Sequence, residues 1–103
     1  MISISAILRV KAGHESTMRD ALLELVESVK REEPGTVEYF VSQSIDEPQV
    51  FTTYERFVDR AAMELHNNSA AVAKVIGIAG PIFDGKIVVH CCNEIAAKGG
   101  ARS

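Results

Sequence analysis

The apolar residues of this chain change their spacing in a definite order, and that order constrains the fold more than any other feature. Over residues 2–11 they recur at every second position. Ile2, Ile4, Ala6, Leu8 and Val10 share one face, while Ser3, Ser5, Arg9 and Lys11 share the other with Ile7. This is the period of a strand with one apolar side. Ala12–Gly13 then punctuates the chain, and over residues 14–33 the period becomes helical. Met18, Ala21, Leu22, Leu25, Val26 and Val29 follow i, i+3, i+4, i+7 spacing, with charged residues on much of the remaining surface. A stripe of that width can lie on a sheet. Pro34–Gly35 ends the helix.

The pattern continues with a second strand over residues 36–44, where Val37, Tyr39 and Val41 alternate with Glu38, Phe40 and Ser42. Asp46–Glu47–Pro48 supplies a turn, and a third strand over residues 49–57 completes an antiparallel hairpin. Residues 59–76 read as a broken helix. Ala61, Ala62, Leu65 and His66 form its first segment, and Asn67–Asn68–Ser69 caps a second carrying Val72, Val75 and Ile76. Gly77, Gly80 and Pro81 mark a loop before a last strand over residues 86–95. The expected order is β-α-β-β-α-β: an α+β, ferredoxin-like domain over residues 1–95, its antiparallel sheet covered by helices on one face. Residues 96–103, with Gly99–Gly100, are expected to fray as a disordered tail.

A chain of 103 residues holds one such domain. Its net charge of −3 and its lack of a basic run argue against nucleic acid as a partner. No apolar stretch is long enough to span a membrane, and the start, Met1–Ile2–Ser3, has no signal-peptide pattern, so a cytoplasmic location is expected. Cys91 and Cys92 are adjacent, without CxxC or zinc spacing, and read as two reduced thiols on a strand. The chain carries no GxGxxG, P-loop or HExxH motif, and His14, His66 and His90 lack metal-ligand spacing. No cofactor and no metal are therefore expected.

An ordered set of short motifs runs from Glu33 to Ser69: Glu33–Pro34–Gly35, Tyr39, Asp46–Glu47–Pro48, Tyr54–Glu55, Asp59, Ala61–Ala62, and His66 three residues before Ser69. With Lys11–Ala12–Gly13–His14 at the end of the first strand, this set resembles the antibiotic-biosynthesis-monooxygenase superfamily. The resemblance implies a dimeric α/β barrel in which two sheets face each other, hence a homodimer through the sheet faces. Ile7 and Phe40, apolar on otherwise polar strand faces, agree with a covered sheet; scattered surface apolar residues are the plainer alternative. The resemblance further implies a small-molecule substrate and cofactor-independent oxidation of an aromatic or quinol-like compound by O2.

Three residues are candidates for that chemistry. His66, on the covering helix, can take a proton from a phenol or quinol hydroxyl because its pKa lies near working pH. Tyr39 can offer its hydroxyl to a substrate oxygen, or simply be a core ring. Glu55 is costly to bury alone, so it needs a partner: His66, Arg56, Arg60 or a backbone group. Asn67 and Asn68 are either substrate hydrogen-bonders or a cap. Two other readings stay open. One is an isomerase of a small phosphorylated sugar-like metabolite, which the Gly80–Pro81 loop resembles, although Lys74 and Lys86 cannot be placed in the pocket from sequence. The other is a non-enzymatic dimeric ligand-binding or stress-related protein. Haem degradation is disfavoured, since the positions used by that branch fall on Ala6, His66 and Ile76 and the chain has no tryptophan.

Overall fold

The structure, a computed structural model, describes residues 1–99; of the expected tail, residues 96–99 form no helix or strand and residues 100–103 lie outside the described residues. The elements follow in the order β1 (Ile2–Arg9), α1 (Glu15–Glu32), β2 (Thr36–Gln43), β3 (Val50–Phe57), α2 (Arg60–Asn67), α3 (Ala70–Ala79) and β4 (Val88–Asn93). A short 3-10 turn, Gly80–Ile82, joins the last two. The strands form one antiparallel sheet in the order β2-β3-β1-β4, the ferredoxin-like α+β arrangement that the alternation of periods predicts.

The amphipathic stripe of α1 explains how the sheet is covered. Met18, Ala21, Leu22, Leu25 and Val29 turn inward and join Leu8, Val10, Phe51, Ala79 and Ile82 in the larger core cluster. Burying each large side chain contributes roughly 1.5–3 kcal/mol, enough to fix which face of the sheet the helix takes. A smaller cluster of Ile4, Phe57 and Met63 lies under α2. Strand register places two rows of side chains between these clusters on the helix-covered face. One row is Tyr39–Glu55–Ile4–Cys91 and the next is Val41–Thr53–Ala6–Val89.

Helices α2 and α3 are separated by the predicted cap. Ser69 accepts a hydrogen bond from the Val72 amide, and Asp59 does the same for α2 through the Ala62 amide. Three details differ from the expectation. Gly77 does not begin a loop but lies inside α3, because Val75, Ile78 and Ala79 pack against the larger core on either side of it. That packing outweighs the roughly 1 kcal/mol that glycine costs a helix. In α2 the buried side chains are Met63 and His66, whereas Ala61 and Leu65 face solvent. The last strand is also shorter than expected, because its pairing with β1 runs only from Ile7↔Val88 to Ile2↔Asn93.

The other face of the sheet carries no helix. Arg56 lies across one end, paired with Glu38 at 2.9 Å and with Glu94 at 2.6 Å. Towards the other end, Phe40 and Tyr54 stack with ring centroids 6.3 Å apart. Ile7 and Phe40 remain 51% and 53% exposed there, alongside Val88.

Candidate functional site

Between the helices and the sheet lies a cavity of about 360 Å³. Its apolar wall includes Ile4, Ala6, Leu8, Val72 and Phe83, and its polar groups are Tyr39, Thr53, Glu55, His66 and Asn67. The small side chain of Ala6, between Ile4 and Leu8, leaves part of this space open. Cys91 lines the cavity and is a free, exposed thiol; its neighbour Cys92, one residue on, belongs to the opposite face. Cavities of this size suit a small aromatic ligand.

His66 organises the polar end. It is 2% exposed and reaches the sheet from the last turn of α2. Its Nδ1 lies 2.8 Å from Glu33 Oε1, which also accepts a hydrogen bond from the Thr36 hydroxyl at 2.8 Å. Its Nε2 stands 3.3 Å from Glu55 Oε1. That second approach is close enough for charge attraction but not aligned as a hydrogen bond. Glu55 Oε1 is consequently left without a hydrogen-bond partner, although Oε2 of the same carboxylate accepts from Thr53 Oγ1 at 2.8 Å. The ring is flanked by Phe57 and Tyr39, at centroid distances of 5.5 and 5.1 Å.

The electrostatics follow from this geometry. Burial by itself lowers the pKa of His66, but the close Glu55 carboxylate and then Glu33 reverse the effect and hold it above the ordinary 6.5. Burial raises the Tyr39 hydroxyl well above its ordinary range, and the charges of Glu55 and Glu33 push it the same way, so Tyr39 stays neutral and can donate. The carboxylates stand at opposite nitrogens of one ring, which is the geometry of a relay and not of a chelate. Among the described residues no cluster of three metal-ligating side chains could hold an ion.

The structure thus brings His66, Glu55 and Tyr39 together; of the partners weighed for Glu55 it selects His66, and it adds Thr53, which was not among them. Arg56 belongs instead to the opposite face, with Glu38 and Glu94. Asn67 lines the cavity, whereas Asn68 turns back to the Glu64 carbonyl. His14 and His90 are exposed, and neither is among the residues that line the cavity. Sequence reasoning missed the role of Glu33, which figured only as the start of Glu33–Pro34–Gly35. A signal was present: an acid at the C-terminal end of α1 opposes the helix dipole, so its placement calls for a compensating cation.

Residues 1–77 match the model of the antibiotic biosynthesis monooxygenase family, three quarters of the chain. The chain belongs to that family. All four residues of the cluster lie inside the match, whereas Phe83, Ile87, Val89 and Cys91, on one side of the cavity, lie beyond it. Solved structures agree on the fold. An antibiotic biosynthesis monooxygenase aligns with a TM-score of 0.85 at 21% identity, over 93% of this chain and 100% of its own. A Shewanella oneidensis protein aligns with a TM-score of 0.81 at 27% identity, over 88% of this chain and 87% of its own. A Mycobacterium tuberculosis protein aligns with a TM-score of 0.85 at 18% identity, over 95% and 98%. No functionally curated protein matches the sequence. No helix among the described residues is long and apolar enough to cross a membrane.

Proposed function

We propose that this chain is a cofactor-independent monooxygenase that oxidises a small aromatic or quinol-like substrate with O2. The observation that carries the reading is His66, held between two carboxylates at the polar end of an otherwise apolar cavity, with the neutral Tyr39 hydroxyl beside it. A quinol supplies its own electrons. Once its hydroxyl proton is removed, the electron-rich ring reacts with O2, one oxygen atom enters the ring and the other leaves as water. The protein's part is to accept the proton, orient the ring and exclude water. A phosphorylated substrate is less well served, since the residues lining the cavity include no lysine or arginine and Lys74 pairs with Glu24 on the surface. With hydroquinone as substrate, oxygen uptake is expected from the wild-type protein, and His66→Gln should lower it by about 10²–10⁴-fold. No uptake by the wild type would sink the reading; unchanged turnover in the variant would remove His66 from it.

The same reading includes a homodimer. Ile7, Phe40, Tyr54 and Val88 form an exposed apolar band on the helix-free sheet face, and a second copy of the chain is the occupant we propose. Sedimentation should then give twice the 11.2 kDa chain mass, and Phe40→Glu should reduce it to one. A wild-type mass of one chain would overturn the dimer.

A further inference from the structure

We infer that Glu55 Oε1 is the atom that receives the substrate's hydroxyl hydrogen, and that the cavity selects neutral hydroxyl donors over anions. The inference rests on the proposed reading and sharpens its substrate class.

Glu55 is 5% exposed and lines the cavity, yet its Oε1 has no hydrogen-bond partner. Leaving a buried carboxylate oxygen unsatisfied is unfavourable, and a ligand O–H in the cavity would satisfy it. The carboxylate cannot readily turn away, because Thr53 Oγ1 holds Oε2 at 2.8 Å. His66 is less available to a ligand. Its Nδ1 is taken by Glu33, itself held by Thr36, and its Nε2 faces Glu55. Glu55 Oε1 is therefore the acceptor in this pair that is left over for a ligand hydroxyl settling against it. Charge points the same way. Two carboxylates face one imidazole, and the cavity lining contributes no lysine or arginine, so a ligand with its own negative charge is repelled.

In the reaction the substrate O–H breaks and the proton joins Glu55 Oε1. The phenolate so formed lies beside a now neutral carboxyl group and the His66 imidazolium. Glu55 is then the group that touches substrate, and His66 and Glu33 are positioning residues that supply the compensating charge and hold its place.

Three ligands of similar core test this on the wild-type protein by calorimetric titration at neutral pH: hydroquinone, 1,4-dimethoxybenzene and 2,5-dihydroxybenzoate. The first should bind at least about tenfold more tightly than the second, which keeps the ring and both oxygens but has no hydroxyl hydrogen, and than the third, which adds a negative charge. Glu55→Gln should narrow both gaps to within about threefold, because an uncharged amide neither accepts as strongly nor repels an anion. Equal binding of the hydroquinone and its dimethyl ether by the wild type, or no binding of hydroquinone, would overturn the inference even if the variant failed to fold. Unchanged oxygen uptake in Glu55→Gln would also overturn it while sparing the monooxygenase reading. The expected binding preferences without oxygen uptake would overturn that reading and leave this inference standing.

Discussion

Replacing His66 with alanine is expected to destabilise the fold by about 3–5 kcal/mol at neutral pH, a large share of the stability of a small domain. The cost arises from what is left behind. Glu33 and Glu55 are both buried and both lie within 3.3 Å of a ring nitrogen, so removing the imidazole strands two carboxylates without their cation. Removing a carboxylate as well should relieve part of the damage. The double variant Glu33→Gln, His66→Ala is expected to lose less than the two single losses combined, with a coupling of about 0.5–3 kcal/mol.

The same cluster fixes the sign of a pH effect. The folded-state pKa of His66 is raised, so its stabilising contribution is complete below about 6.5, its unfolded value. It is then lost as the pH rises through the higher folded value. Urea titrations from pH 6 to 9 should show wild-type stability declining across that window, and His66→Gln should lack this part of the decline. A His66→Ala cost below about 1 kcal/mol, or matching pH profiles in wild type and His66→Gln, would show that the charges are not coupled.

The second large effect is expected at Gly35 and arises from packing, not from charge. A Cβ on Gly35 would lie 2.7 Å from the Cβ of Ala62 in α2, closer than two carbon atoms can pack. Ala62 is not a flexible chain end that can swing aside, so Gly35→Ala must push α2 off the sheet. The expected loss is about 1–3 kcal/mol, typical of overpacking. Ala62 and His66 lie one turn apart on the same face of that helix, so the displacement carries His66 away from Glu33 and Glu55. A shift of the His66 ring resonances in Gly35→Ala, with recovery in Gly35→Ala, Ala62→Gly, checks the mechanism. A Gly35→Ala protein as stable as the wild type, with unmoved His66 resonances, would show that the contact is not a constraint.

Gly35 also shows how far a sequence can be read. Pro34–Gly35 is legible as a helix stop, because both residue types oppose helix continuation. That the glycine is needed to seat α2 is not legible, since the contact joins residues 27 positions apart in the chain. Gly77 carries the same lesson in reverse: its residue type signals a loop, and tertiary packing of its neighbours keeps it helical.

The switch between a period of two and a period of 3.6 determined the order of elements and the inward face of β1, β2 and α1, though not that of α2. It did so because side-chain direction along a strand or helix is a local property of the backbone. The sequence also singled out Tyr39, Glu55 and His66, through residue type and motif. Only the tertiary structure decided that Glu33, from the far end of α1, closes on one nitrogen of His66 while Glu55 faces the other. Those distances depend on the sheet register and on how closely α2 docks, and both are set by packing between segments that no local pattern encodes.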